Sequence, residues 1–188
     1  MDSNPGETKA WQGSGDNPRD SGPLPGSERP QPPLICGDFG IRIARDGTWF
    51  HEGSPIGRLP LVKLFASVLR REGDEYWLVT PAERGRILVE DAPFVAVGLE
   101  ARGSGRDQAL TFRTNLEEEI EAGPAHPIRV AIDPARGEPR PYVLVRDNLE
   151  ALIARAVYYQ LVELGREEAQ DGAARYGVWS GGVFFALS

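Results

Sequence analysis

The chain has 188 residues, 40% of them hydrophobic, and a formal net charge of −7 at pH 7. This length allows one domain of ordinary size or two small ones. The negative charge argues against a general nucleic-acid binder, because phosphate contacts need a concentrated positive surface. The one cysteine, Cys36, excludes an internal disulfide and a cysteine-based zinc site. The histidines, His51 and His126, are too few and too far apart for us to expect a metal centre or a cofactor.

No apolar run approaches the roughly 20 residues of a membrane span, and the N-terminus lacks a secretory pattern. We therefore expect a cytoplasmic protein without membrane contacts. Residues 1–33 are rich in Gly, Pro and Ser and nearly devoid of large apolar residues. Such a segment cannot offset its ordering entropy by burial, so we predict a disordered N-terminal extension. It could be a docking tail, although an extension without function is the simpler interpretation.

Residues 34–80 are predicted to form an N-terminal β-hairpin/helix subdomain. Ile41 and Ile43 alternate with a polar residue, as in a half-buried strand, and Asp46-Gly47 is typical of a two-residue hairpin turn. A returning strand at Thr48-Trp49-Phe50 follows. A helix over Leu59–Glu72 is indicated by apolar residues spaced at i, i+3, i+4 and i+7, namely Leu61, Leu64, Phe65 and Val68.

Residues 81–188 are predicted to form the C-terminal subdomain. Short extended stretches are predicted from Glu75 onward, at about residues 75–80, 84–90, 94–100, 108–114, 127–132 and 142–145. A helix over Asn148–Leu164 is predicted next, capped by Asp147 with Glu150 three residues later. Gly181-Gly182 indicates a turn before a final strand that returns to the sheet. Strands that curl into a barrel closed by one helix have the layout of a pleckstrin-homology-like domain.

Two parts of the chain are similar to each other. Ile41-Arg42-Ile43-Ala44-Arg45-Asp46 is matched by Ile128-Arg129-Val130-Ala131-Ile132-Asp133. We therefore predict an α+β fold of two related β-hairpin/helix subdomains, the C-terminal one a pleckstrin-homology-like antiparallel barrel capped by a helix. Neither unit can bury its apolar face alone, so the two are expected to share a core and to leave a groove where they meet.

The sequence also resembles a bacterial family whose function is unassigned. The resemblance covers nearly all of residues 36–187 and rests on these segments: Cys36-Gly37-Asp38, Arg45-Asp46-Gly47-Thr48-Trp49, Gly53–Arg58, Leu64–Glu72, Val79-Thr80-Pro81, Glu90–Val97, Phe112-Arg113-Thr114-Asn115 and Gly177–Phe185. It implies a duplicated core and a C-terminal domain of pleckstrin-homology-like shape. It further implies a pocket at the domain interface, with a nucleotide-type ligand and a role in signalling.

Polar residues at strand ends are the candidate ligand-binding residues. Arg113, Thr114 and Asn115 place a guanidinium, a hydroxyl and an amide side by side, all groups that bind phosphate or carboxylate. The alternative is that Thr114 and Asn115 form turn hydrogen bonds. Further candidates are Thr80, Trp179 and Ser180, which would line the other side of the groove, and Arg58, which precedes the first helix. Arg155 could face the groove, although a solvated arginine is the simpler interpretation.

Three functions from different classes are compatible with these patterns. The favoured one is a non-catalytic signalling or sensor module that holds a small anionic, nucleotide-like ligand between the subdomains. The second is a protein-interaction module that uses a sheet edge, the returning strand at Val183–Leu187, or an exposed apolar patch. The third is a hydrolase or transferase that uses the carboxylates of Glu117–Glu121, although such a run is usually a solvated surface.

Overall fold

The computed structural model describes residues 34–170 and 172–187, so the predicted disorder of residues 1–33 lies outside the described residues. The first half of the described chain forms a six-stranded sheet with one helix, α1 (Leu59–Ser67). Its strands are β1 (Leu34–Ile43), β2 (Trp49–His51), β3 (Ser54–Pro55), β4 (Leu69–Glu72), β5 (Glu75–Val79) and β6 (Glu83–Val89). They lie in the order β3-β2-β1-β6-β5-β4.

The second half forms another six-stranded sheet, followed by helix α2 (Arg155–Glu163) and a three-stranded sheet. The strands of the six-stranded sheet are β7 (Phe94–Arg102), β8 (Ala109–Thr114), β9 (Glu119–Glu121), β10 (Ile128–Ile132), β11 (Pro139–Arg146) and β12 (Leu149–Ile153). A short 3-10 helix, Gly105–Asp107, separates β7 from β8. The last sheet contains β13 (Arg166–Gln170), β14 (Ala173–Ser180) and β15 (Val183–Ala186). Among the described residues, neither helix is long and apolar enough to cross a membrane.

The two six-stranded sheets share one strand order, which supports a domain duplication. In each sheet the first and last strands are neighbours at the centre, because β1 pairs parallel with β6 and β7 pairs parallel with β12. The prediction of an antiparallel C-terminal barrel is wrong, because the second sheet contains the parallel β7–β12 pair. The two similar sequence segments do not occupy equivalent strands. Ile41–Ile43 ends the central strand β1, whereas Ile128–Ile132 is the edge strand β10. The duplication therefore lies in the order of the strands, in which β1 corresponds to β7.

Both predicted helices are too long. α1 ends at Ser67, and Leu69–Glu72 forms a hairpin with β5 instead. The predicted apolar stripe is also wrong at Leu64, which is 61% exposed, whereas Val62 and Ala66 are buried. The second predicted helix, over Asn148–Leu164, begins only at Arg155. Residues 149–153 form β12 instead, and they alternate between buried and half-buried positions, as expected for a strand.

Asp147, with a φ of 48°, lies in the turn before β12. It is therefore not the predicted helix cap. The predicted hairpin at Asp46-Gly47 is confirmed, but its turn is longer than two residues, because the N–H of Ala44 donates to the carbonyl of Thr48 (2.9 Å) and only Gly47 within the turn has a positive φ. The final strand after Gly181-Gly182 is also confirmed, but it pairs with β14 in the separate three-stranded sheet instead of returning to the six-stranded one.

One apolar core extends through both halves. Trp49, Phe94 and Phe112 are among its largest fully buried side chains. The change from one sheet to the next falls between Val89 and Phe94, later than the predicted boundary at residue 80. The connection between β6 and β7 therefore links the two sheets.

Candidate functional site

The hydroxyl of Thr114 is occupied by the backbone of the turn that follows β8. Thr114 is fully buried, and its Oγ1 accepts hydrogen bonds from the N–H groups of Leu116 (3.3 Å) and Glu118 (3.1 Å). This matches the alternative interpretation from the sequence, in which the residue supports a turn.

Asn115 joins the two halves of the chain. Its Oδ1 accepts a hydrogen bond from the N–H of Val95 (3.0 Å), and its Nδ2 donates to the carbonyl oxygen of Gly47 (3.2 Å). Gly47 belongs to the β1–β2 hairpin of the first sheet, whereas Val95 lies on β7. Both polar atoms of this side chain are thereby used within the protein.

Two of the predicted arginines are exposed. The guanidinium of Arg113 makes no hydrogen bond or ion pair within the described residues and lies beside Gly98. Arg58 is the N-cap residue of α1, and its side chain forms no capping hydrogen bond. Neither arginine lines the cavity between α1 and the first sheet or the cavity where the two halves meet.

Ser180 and Trp179 attach β14 to the second sheet. The fully buried Ser180 hydroxyl donates to the carbonyl of Ala122 (2.6 Å) and accepts from the N–H of Leu110 (2.9 Å). Nε2 of the buried Gln108, next to β8, donates to the carbonyl of Trp179 (2.9 Å), whereas the Trp179 indole donates to Glu168 on β13 (3.0 Å), within the last sheet. These contacts explain the polar groups at this position by packing between sheets.

Thr80 lies in the turn between β5 and β6, where its Oγ1 accepts from the N–H of Glu83 (3.1 Å). It lines the cavity of about 390 Å³ between α1 and the first sheet, which we refer to as the α1 cavity. The other predicted site residues do not line this cavity. The structure therefore does not bring Thr80, Trp179 and Ser180 to a common wall opposite Arg113.

The carboxylates of Glu117–Glu121 are divided between different partners. Glu117 pairs with Lys63 (2.6 Å), and this hydrogen bond lowers the pKa of the Glu117 carboxyl. Glu118 accepts both of its contacts from Arg146, at 2.8 and 3.0 Å. Glu119 and Glu121 are exposed on either side of the buried Ile120. This arrangement is that of surface ion pairs rather than of an acid–base pair in a cleft.

A cavity of about 440 Å³ lies where the two halves meet, and we refer to it as the junction cavity. Arg45 contributes to it from the turn between β1 and β2, and the other residues come from the β10–β11 connection, from β11 and β12, and from the start of α2. Its charged and aromatic lining residues are Arg45, Asp133, Arg136, Glu138, Arg140, Arg155, Tyr158 and Tyr159. Four arginines thus face two carboxylates around one cavity.

These arginines differ in how they are neutralised. Arg140 contacts Asp91 and lies 3.6 Å from Asp133. Arg155 donates to the hydroxyl of Tyr159 (2.7 Å), and this hydrogen bond raises the pKa of its guanidinium. The guanidinium groups of Arg45 and Arg136 have no hydrogen bond or ion pair within the described residues. These two cations remain available to an anion.

The start of α2 adds to the positive character of the junction cavity. Its N-cap residue is Ala154, which has no side-chain acceptor for the free N–H groups of the first helical turn. These groups carry the positive end of the helix dipole. They lie in the same wall as Arg155 because Ala154 and Arg155 both line the cavity.

Asp91, in the connection between the two sheets, holds Arg140 at the cavity wall. Its carboxylate, 8% exposed, contacts Arg140 and accepts a hydrogen bond from the hydroxyl of Tyr142 (2.8 Å). Burial, followed by this hydrogen bond and the charge of Asp91, raises the pKa of Tyr142 to about 12. The connection is thereby fastened to β11.

Comparison with known proteins identifies the family. The N-terminal domain of the DUF1285 proteins of unknown function matches residues 28–92, and the C-terminal domain matches residues 93–187. The chain belongs to the DUF1285 family. It is similar to the crystal structure of a DUF1285 protein from Silicibacter pomeroyi DSS-3, with 52% identity and a TM-score of 0.76 over 86% of this chain and 89% of that chain.

A second DUF1285 structure, from Shewanella baltica OS155, has 28% identity and a TM-score of 0.52. The match covers 66% of this chain and 91% of the Shewanella baltica chain. Among curated proteins, none matches. Within the DUF1285 chain, Arg45 belongs to the N-terminal domain, whereas Arg136, Arg140 and Arg155 belong to the C-terminal domain.

Sequence reasoning found part of this cavity. It considered Arg155 for the groove but favoured a solvated arginine; Arg155 lines the junction cavity and is also exposed. It missed Arg45 and Arg136 because neither stands in a motif with chemical meaning. The available signal was position: each arginine adjoins a turn, at Asp46-Gly47 and at Asp133-Pro134.

Proposed function

We propose that this DUF1285 protein is a non-catalytic binding module that holds a small anionic, nucleotide-like ligand in the junction cavity. The observation that carries the proposal is that arginines from both halves line one cavity and that two of them, Arg45 and Arg136, form no ion pair within the described residues. A guanidinium presents paired donors that match phosphate and carboxylate oxygens. The volume, about 440 Å³, lies in the range of small-molecule sites.

The other lining residues suit the uncharged part of such a ligand. Tyr158 and Tyr159 on α2 and Leu152 on β12 supply aromatic and aliphatic surface. Tyr158 is oriented by its hydroxyl, which donates to the carbonyl of Leu187 (3.1 Å). The proposal moves the anion contacts away from Arg113, Thr114 and Asn115, because backbone groups already occupy the last two.

A ligand that touches both halves would favour the arrangement in which both can reach it. This is how the module would act in signalling, and we propose that it does so in the cytoplasm. The second six-stranded sheet is followed directly by α2, and this order is compatible with a pleckstrin-homology-like layout. That layout stays part of the proposal. Its parallel β7–β12 pair departs from that layout.

The test is a thermal-shift and titration screen of the full chain with ATP, GTP, cyclic dinucleotides, pyrophosphate and acetate. We expect at least one phosphate compound to bind, and Arg45→Ala and Arg136→Ala each to weaken binding by about tenfold or more, equivalent to 1.4 kcal/mol. Arg113→Ala is the matched control, since it removes an exposed arginine outside the cavity. Absence of binding by every anion, or binding weakened by Arg113→Ala alone, would contradict the proposal.

A protein-interaction module is the second candidate. Ile132, at the end of the edge strand β10, is 63% exposed, and Tyr159 beside the junction cavity is 52% exposed. The predicted returning strand is less suited to this role, because Phe185 and Leu187 are buried. Size-exclusion chromatography and pull-downs with Ile132→Glu would test it, and partner binding unaffected by this change would count against the edge.

A further inference from the structure

The α1 cavity is separate from the junction cavity and shares no lining residue with it. It lies within the first half of the described chain, with the sheet on one side and α1 on the other. Its apolar walls are formed by Phe39, Ile41, Ile56, Leu61, Phe65, Val68 and Leu78. A volume of about 390 Å³ is within the range of small-molecule sites, which are mostly apolar with a few polar groups.

Two aromatic walls are held in place by their neighbours. The ring of Phe39 lies so close to Gly85 that a Cβ at residue 85 would be 2.5 Å from it. Glycine weakens the interior of a strand, and here it allows this close approach. The ring of Phe65 stacks on the buried Trp49, with ring centroids 6.3 Å apart. Both rings are therefore fixed as walls instead of turning inward to fill the space.

The apolar side chains that line the cavity are incompletely buried. Phe39, Ile56, Leu61, Phe65 and Val68 are all only half-buried. Removal of apolar surface from water is favourable, so an apolar ligand would gain from covering these side chains.

The polar lining residues restrict the kind of ligand. They are His51, Thr80 and Glu83, and neither arginine nor lysine lines the cavity. A carboxylate or phosphate would lose its hydration here without gaining a cationic partner. The imidazole of His51 is exposed and has no hydrogen-bond partner within the described residues, so it is available to a hydroxyl group.

We propose that the α1 cavity binds a small uncharged apolar molecule that carries a hydroxyl group, such as a medium-chain or aromatic alcohol. At the roughly 30 Å³ that a water molecule occupies in the liquid, the space corresponds to about a dozen non-hydrogen atoms. The apolar part lies between Phe39 and Phe65, and the hydroxyl lies toward His51.

The test uses the full chain and the neutral fluorescent probe 1-methylnaphthalene, which is about the size of decanol and has no hydrogen-bonding group. We expect the probe to bind, and decanol to displace it at concentrations about tenfold lower than decanoate, because the carboxylate has no cationic partner in the cavity. Failure of the wild-type chain to bind either the probe or decanol would overturn the proposal. Equal displacement by decanol and decanoate would overturn the preference for an uncharged ligand.

Val68→Phe and Ile56→Phe each place a larger side chain in the wall. We expect both to weaken decanol binding by about tenfold or more. Leu64→Phe is the matched control, because Leu64 lies on α1 but points away from the cavity and is 61% exposed. Circular dichroism of each variant shows whether it is folded, and Ile56→Phe replaces Val68→Phe if the latter unfolds. Unchanged decanol binding in folded wall variants would overturn the site.

His51→Ala separates the two parts of the ligand. It should weaken decanol binding while leaving the hydroxyl-free probe unaffected. Arg45→Ala, which disrupts the junction cavity, should change neither. This result is independent of whether the anion screen succeeds, so the two proposals fail separately.

Discussion

The amide nitrogen of Asn115 lies 3.2 Å from the carbonyl oxygen of Gly47, and this hydrogen bond joins the second sheet to a turn of the first. The same side chain accepts from the N–H of Val95. We expect Asn115→Ala to lower the free energy of unfolding by about 1–3 kcal/mol, because it leaves a part-buried donor and acceptor without partners. Urea denaturation measures the change.

Asn148→Ala is the control for this substitution. The Asn148 amide also donates to a backbone carbonyl across the chain, that of Arg71 (3.1 Å), but the residue is exposed. Its loss should stay within about 0.5 kcal/mol, because water replaces the lost partner. Equal effects of the two substitutions would show that Asn115 does not fasten the halves.

Gly47 is predicted to be intolerant of a side chain for two separable reasons. Its φ is 83°, and a Cβ would lie 2.5 Å from Nδ2 of Asn115. Gly53 has nearly the same φ, 81°, with open space around it. Gly53→Ala should therefore cost only the backbone strain, about 1–2 kcal/mol, and Gly47→Ala should cost more.

A double-mutant cycle in urea with Asn115→Ala isolates the steric part of this cost. We expect the difference between the two glycine substitutions to shrink when Asn115 is already alanine. A difference that persists in that background would place the clash elsewhere.

Ser180→Ala should destabilise the attachment of β14. The hydroxyl is fully buried and serves both Ala122 and Leu110, so its removal leaves two backbone groups unpaired. A loss of about 1–3 kcal/mol is expected by chemical denaturation. Ser67→Ala removes an exposed hydroxyl bonded to the carbonyl of Leu64 and should cost less than about 0.5 kcal/mol. A similar loss in both variants would contradict this assignment.

Tyr142 should make stability fall in alkaline solution. Its pKa is raised from 10.0 to about 12, so between these values the unfolded chain loses a proton that the folded chain retains. The stabilisation is fully present below pH 10 and is lost as the pH rises toward 12. We expect the difference in unfolding free energy between wild type and Tyr142→Phe to decline over that range.

Burial also raises the pKa of Tyr76 and Tyr158, so the wild-type slope alone does not isolate Tyr142. Tyr159→Phe, which changes an exposed phenol, is the matched comparison. If the difference in unfolding free energy between wild type and Tyr142→Phe stays constant between pH 9 and pH 12, the assignment to Tyr142 is contradicted.

Short-range patterns predicted most strands and turns, because alternation and turn residues act locally. They failed at Leu149–Ile153, where the apolar residues fit a helix as well as a strand, and at Leu69–Glu72, where three charged residues follow one leucine and show neither period. Hairpin pairing with β5 and with β11 decides for the strand in the two segments, and Leu149–Ile153 also pairs with β7, which is distant in sequence. The junction cavity escaped prediction for the same reason, since Arg45 and Arg136 meet only through the fold.

The parallel pair β1–β6 has a consequence for synthesis of the chain. Leu34–Ile43 cannot acquire its central neighbour until Glu83–Val89 has left the ribosome, because these residues end the first sheet. Pairings of such large sequence separation form slowly. During elongation, β1 therefore presents unpaired backbone along one side, and a nascent chain stalled before residue 83 would be the form most prone to aggregate.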